Sequence, residues 1–221
     1  MTRTPRGRLP HNGQPPWFKR LVRGYFRMTY GRCETRGLGR VPLEGPLILA
    51  STHRSYLDPI ILGAFIPRPL SFMGKSELFE NPLLSALCTA FGAFPVDRER
   101  ARGSTFRAAA ELLNRGEAVV VFPEGGIVDS LAEQGFKAGV GMLASMTGAA
   151  VIPIYLSGTN SLFSWPLGFT DKTWMAILAG EPIASGRSRG KVVRNQIAER
   201  VAEALQEMEQ NFLAARRGEA P

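Results

Sequence analysis

Short apolar runs alternating with helix signals limit what this chain can fold into more than any other feature. The runs are Pro46–Ser51 (PLILAS), Leu70–Met73, Ala93–Val96, Ala118–Phe122 (AVVVF), Ala150–Leu156 (AVIPIYL) and Trp174–Leu178. Each has the length of a strand, and AVVVF is the clearest. Between them, Asp58–Phe65 reads as a helix with Asp58 near the cap and Pro59 in the first turn. Leu83–Phe91, Ser104–Asn114 and Phe136–Met146 also read as helices, and Arg115-Gly116 stops the second of these. Val193, Ile197, Val201, Leu205, Met208 and Phe212 recur every three or four residues and mark a C-terminal helix. The alternation predicts an α/β fold, a mostly parallel central sheet flanked by helices, with an N-terminal amphipathic helix and a C-terminal helix. At 221 residues, 44% hydrophobic and 21% charged, the chain suits such a domain and excludes disorder, collagen or coiled coil as the main architecture. The two cysteines, Cys33 and Cys88, are too few for a disulfide scaffold or a Cys-rich zinc site, which points to a reducing compartment.

The charge is uneven. Residues 1–40 hold ten Lys or Arg against one acid, Glu34, while the remaining residues are close to neutral. A surface that binds nucleic acid would be basic in the body itself, so no nucleic acid is expected. A local basic segment suits an anionic membrane surface, or an RNA or acidic-protein partner. Residues 1–16 are rich in Pro, Gly and Arg and read as a mobile basic arm. Residues 17–35 read as an amphipathic membrane-interface helix. Trp17, Phe18, Leu21, Val22, Tyr25, Phe26 and Met28 fall on one half of its wheel, with Lys19, Arg20, Arg23 and Arg27 on the other. Residues 36–221 read as the single α/β domain of the chain. No unbroken run of about 20 apolar residues exists to span a bilayer, and the N-terminus has no apolar core of signal-peptide length. The expected location is peripheral, at the cytoplasmic face of a membrane.

His53 is the one histidine of the body, directly after PLILAS in the segment STHRSYLDP, with Asp58 five residues on. A strand end followed by a helix start sets both at the carboxyl edge of the sheet, where open α/β folds place their sites. The carboxylate can take one imidazole nitrogen, fix the tautomer and leave the other as a general base. The bland alternative is a histidine that caps the loop. Gly-x-Ser-x-Gly is absent. Ser55 leaves a Ser–His hydrolase open, although the two-residue spacing is awkward. One body histidine and no Cys pair make a poor metal site. Three further segments follow strand signals: FPVDR ending at Arg98, FPEGG with Glu124, Gly125 and Gly126, and GFKAG with Lys137. Glycines expose backbone amides, and Arg98, Lys137 and Lys75 can hold a phosphate.

These segments together resemble the glycerol-phosphate and lysophospholipid acyltransferase superfamily, over about residues 36–185. Thr52-His53-Arg54-Ser55-Tyr56-Leu57-Asp58 is similar to its Asn-His-x-Ser-x-x-Asp motif. Gly92–Arg98, Phe122-Pro123-Glu124-Gly125 and Val151-Ile152-Pro153-Ile154 resemble its second, third and fourth motifs, in order and at fitting distances. The resemblance implies transfer of a fatty acyl group from acyl-CoA or acyl-carrier protein to a lysophospholipid hydroxyl, with 1-acylglycerol-3-phosphate giving phosphatidate as the first reading. His53 would be the base, oriented by Asp58. Lys75, Arg98, Glu124, Gly125 and Lys137 would bind substrate. No cofactor or metal is implied beyond the acyl donor as co-substrate. Two departures stand out: Thr52 replaces Asn, and Ile127 stands where the family has an arginine able to contact phosphate. The second departure leaves two alternatives open, an acyltransferase for a different lipid alcohol or a non-catalytic lipid-binding module.

Overall fold

A computed structural model describes residues 16–30, 32–96, 102–127, 131, 136, 138–159, 174–188 and 190–218. Chain order gives helix α1 (Pro16–Thr29), strand β1 (Arg32–Arg36), β2 (Leu47–Ser51), α2 (Asp58–Phe65), β3 (Ser71–Lys75), α3 (Pro82–Ala90), β4 (Ala93–Val96), α4 (Arg102–Asn114), β5 (Ala118–Val121), α5 (Gly139–Thr147), β6 (Ala150–Ser157), β7 (Trp174–Ala179) and α6 (Lys191–Arg217). The seven strands form one sheet in the order β1-β7-β6-β2-β5-β3-β4. From β6 to β4 every pairing is parallel. The exception is β7, which runs antiparallel to β6 and carries β1 parallel beside it. The mostly parallel sheet read from the alternation is the observed one.

Strands buried on both faces explain the continuous apolar runs. In β2, alternate residues face opposite ways. Leu47 and Leu49 pack with Val120, Ile152 and Ile154 beneath α1 and α2. Ile48 and Ala50 pack with Val119, Val121 and Val151 beneath α4, α5 and α6. Each buried aliphatic side chain of this kind contributes about 1.5–3 kcal/mol. The three-layer arrangement leaves the carboxyl ends of β2, β5 and β3 on one edge, where the loops carrying His53 and Glu124 begin and where Lys75 ends its strand.

The N-terminal segment differs from its sequence reading in two respects. Residues 32–35, taken as helix, lie in β1, because Arg32–Arg36 finds the open edge of β7 and pairs with it in parallel register. The apolar half of α1 is also divided. Phe26 is buried in the core formed with α2, with Val22 packed against that core, whereas Trp17, Leu21, Tyr25 and Met28 stay 47–74% exposed. The basic half is divided as well. Lys19 donates to the carbonyls of Ile66 and Arg68, and Arg23 to that of Ala64. These cations satisfy the carbonyl end of α2, where the helix dipole favours positive charge. Burial and the neighbouring Arg23 hold the Lys19 ammonium below its usual pKa. Residues 1–15 of the basic arm lie outside the described residues.

On the opposite layer, α5 and α6 approach closely through a glycine. A Cβ built on Gly141 would stand 1.9 Å from the Arg194 carbonyl oxygen. Gly141→Ala is therefore expected to cost roughly 1–3 kcal/mol or more through overpacking. Urea unfolding should show a lower midpoint at unchanged slope. An unchanged midpoint would mean that the two helices do not need that distance.

Candidate active site

β2 ends at Ser51, and Thr52 continues its pairing with β6 by side chain as well as backbone. The Thr52 amide donates to the Ile154 carbonyl at 3.0 Å. Its Oγ1 accepts from the Leu156 amide and donates to the Leu156 carbonyl, both at 2.8 Å. The residue standing where the resembled motif has Asn thus anchors the loop at its first step. The chain then turns over Arg54 and Ser55 into α2, which brings Asp58 back beneath His53.

Asp58 is fully buried and accepts four hydrogen bonds. Its Oδ2 takes His53 Nδ1 at 2.9 Å and the amides of Arg54 and Ser55 at 2.6 and 2.8 Å. Its Oδ1 takes Thr159 Oγ1 at 2.6 Å. A buried carboxylate costs several kcal/mol unless its lone pairs are satisfied, and here they are. Asp58 lies next to the cap, as the first residue of α2 after the N-cap Leu57, and its side chain organises the loop before the helix. With Nδ1–H directed at Asp58, Nε2 is the nitrogen left to accept a proton. The ring lies stacked on Phe122, 4.0 Å between centroids at 19°. Carboxylate and aromatic face together fix both direction and plane.

Glu124 sits at the end of β5, only 2% exposed, and its Oε1 accepts the His53 amide at 3.3 Å. Its second oxygen is buried without a partner. Burial raises the Glu124 carboxyl above its ordinary pKa, against smaller lowering effects from the amides of Glu124 and His53 and the charges of Arg54 and His53. Gly125 follows with φ 75°, a left-handed conformation that favours glycine, and its amide closes a turn onto Phe122 at 3.0 Å. Gly125 also lines the cavity that opens beside His53.

That cavity measures about 810 Å³. Met73, Phe106, Val120, Val121, Phe122, Val140 and Met142 give it apolar walls, while Thr105, Lys191, Arg194 and Asn195 contribute polar groups. It lies between the sheet and the layer of α4, α5 and α6. Lys75 ends β3, paired in backbone register with Val96. Arg98 and Lys137, with the Asp97-Arg98 end of the second motif, lie outside the described residues. Ser55 is buried, and its Oγ accepts the Leu57 amide at 3.2 Å, a structural turn that does not engage the imidazole. Among the described residues, no three His, Cys, Asp or Glu side chains form a group that could hold a metal.

Sequence reasoning passed over three groups. Thr159 follows β6, and its one signal is a hydroxyl just past a strand that ends on the edge where His53 sits. Arg54 pairs with Glu209 of α6 at 2.8 Å, a contact across 155 residues that no local pattern announces. Lys191 and Arg194 open α6 outside its apolar spacing, and no local pattern marks them as lining the cavity.

A carboxylate-oriented histidine at the carboxyl edge of a parallel sheet, lining an apolar cavity, is an arrangement that can take a proton from a hydroxyl. A family model described as Acyltransferase matches residues 32–157, and the chain belongs to that family. A 1-acyl-sn-glycerol-3-phosphate acyltransferase of Bacillus subtilis (strain 168) is 31% identical over 147 residues, 65% of this chain and 69% of that protein. The chloroplastic 1-acyl-sn-glycerol-3-phosphate acyltransferase LPAT1 of Arabidopsis thaliana is 28% identical over 79% of this chain, which spans 49% of that protein. The crystal structure of the 1-acyl-sn-glycerophosphate (LPA) acyltransferase PlsC from Thermotoga maritima shares the fold. Its TM-score is 0.67 at 22% identity, over 87% of this chain and 78% of that one.

The raised Glu124 carboxyl makes a pH test available. A carboxyl whose folded pKa exceeds its unfolded one contributes stability below the unfolded pKa and loses it as pH rises through the folded value. Glu124→Gln keeps an oxygen for the His53 amide and removes the buried charge. Its melting temperature should therefore rise relative to the wild type as pH is raised above the ordinary glutamate pKa of about 4.3. A difference that does not change with pH would contradict the assignment.

Proposed function

We propose that this chain transfers a fatty acyl group from acyl-CoA or acyl-carrier protein to the free hydroxyl of a lysophospholipid, with 1-acylglycerol-3-phosphate as acceptor and phosphatidate as product. The observation that carries the reading is the 2.9 Å contact between His53 Nδ1 and Asp58 in a loop whose histidine lines an apolar cavity. The names of the relatives support the acceptor. The cavity walls suit an acyl chain, which leaves water on entering.

In this mechanism the acceptor hydroxyl hydrogen-bonds to His53 Nε2. As the oxygen attacks the thioester carbonyl, its proton passes to Nε2 and the imidazolium is stabilised by Asp58. The tetrahedral intermediate collapses with cleavage of the carbon–sulfur bond. The leaving thiolate takes the proton back from Nε2, giving ester and free thiol. No acyl-enzyme is required. Asp58 and Glu124 act on the histidine, one through its ring and one through its amide. His53→Ala should lower kcat by roughly 10²–10⁴-fold or more in a labelled acyl-transfer assay. Turnover at the wild-type rate would remove His53 from the role.

A peripheral membrane site, at the cytoplasmic face, fits the same reading. No helix among the described residues is long and apolar enough to cross a membrane. The exposed stripe of Trp17, Leu21, Tyr25 and Met28 runs along α1 at helical spacing, with Arg20 and Arg27 also exposed on this helix. Apolar side chains beside cations suit the boundary of an anionic bilayer. Deleting residues 1–30 would also remove Phe26 and Tyr30 from the core, so point changes give the cleaner test. Leu21→Glu with Met28→Glu should abolish sedimentation with anionic vesicles and leave the melting temperature within a few degrees. Undiminished sedimentation would exclude this face.

A further inference from the structure

The cations of the cavity lining come from a segment outside the residues that match the family. Three helices begin on the cavity wall: Gly103 and Thr105 of α4, Gly139 and Val140 of α5, and Lys191, Arg194 and Asn195 of α6 all line it. Among the described residues, the lining holds Lys191 and Arg194 and no Asp or Glu. Neither cation forms an ion pair among the described residues, and Arg194 Nε is buried with no hydrogen-bond partner. The glycine at position 141 lets α6 come close enough to place these side chains there. Two cations without an ion-pair partner among the described residues, beside the first turns of α4, α5 and α6 that line the same cavity, favour an anion. At the other side of the cavity, the third motif continues from Gly126 into Ile127, which has no group for a phosphate.

We propose that Lys191 and Arg194 bind a substrate phosphate inside the catalytic cavity, supplying from α6 the positive charge that Ile127 does not supply. The inference rests on the acyl-transfer reading for the identity of the substrates, since both acceptor and donor carry phosphate. Its chemistry is shared by the two: a phosphate ester whose attached chain or carrier extends toward His53. Arg194 offers a planar fork and Lys191 a mobile ammonium, so a bidentate contact and a point charge meet the same group.

Titration calorimetry with the full chain tests this without relying on turnover. The probes are short-chain lysophosphatidate and coenzyme A, each beside its phosphate-free counterpart, a short-chain monoacylglycerol and pantetheine. The variants are Lys191→Met and Arg194→Met, with Lys191→Arg as the conservative control. Each Met variant should weaken at least one phosphate-bearing probe by about tenfold or more, the size of one lost charge-assisted hydrogen bond. It should leave the counterpart unchanged, and Lys191→Arg should restore most of the loss. A loss confined to lysophosphatidate assigns the site to the acceptor, and a loss confined to coenzyme A assigns it to the donor. Equal binding by variants and wild type, or an equal loss on the phosphate-free probes, would overturn the proposal. Absence of acyl transfer by the wild type, with the binding difference intact, would count against the acyl-transfer reading alone.

Discussion

One buried carboxylate holds the functional end of this molecule together. Asp58 gathers an imidazole, two backbone amides and a threonine hydroxyl around a single charge. Because it has no access to water, losing any donor leaves an oxygen lone pair that nothing replaces, a penalty of about 1–3 kcal/mol. That penalty gives the loop one favoured conformation. The amides of Arg54 and Ser55 cannot turn toward solvent without breaking the arrangement that also orients His53. Loop order and the orientation of the imidazole are thus the same interaction, and Thr159 joins them to the end of β6.

The surroundings extend this order in two directions. Toward β5, Phe122 supplies a flat surface for the ring and Glu124 holds the histidine amide. Toward the C-terminus, the largely buried Arg54–Glu209 pair connects the loop to α6. A buried ion pair is weak evidence for stability, since desolvation offsets most of the attraction. Its consequence here is geometric: the helix that carries Glu209 also carries Lys191 and Arg194, so loop and cavity wall are positioned by one rigid element.

The sheet was legible from the sequence because its strands are buried on both faces and therefore written as plain apolar runs, AVVVF and AVIPIYL foremost. The His53–Asp58 relation was legible for a local reason, a strand end and a helix start five residues apart. What depended on distant partners was not. Arg32–Arg36 has no apolar run and becomes a strand only because β7 offers an edge. Thr159, Glu209 and Arg194 act through contacts that span a hundred residues or more, or through a helix packed against a glycine. The wheel of α1 showed an amphipathic helix correctly, but a wheel has no third dimension. It could not show that Lys19 and Arg23 turn inward to the carbonyls of α2, or that Phe26 and Met28 part company.

The position of β1 bears on how the chain is made. Among the described strands it pairs with β7 alone, which begins at Trp174, so a growing polypeptide carries Arg32–Arg36 without that partner while most of the sheet is being synthesised. Contacts so distant in sequence form late. In the interval, an unpaired ribbon invites pairing with a neighbouring nascent chain. The segment RCETR answers that hazard with charge at every second place: Arg32, Glu34 and Arg36 discourage stray association until the proper partner leaves the ribosome.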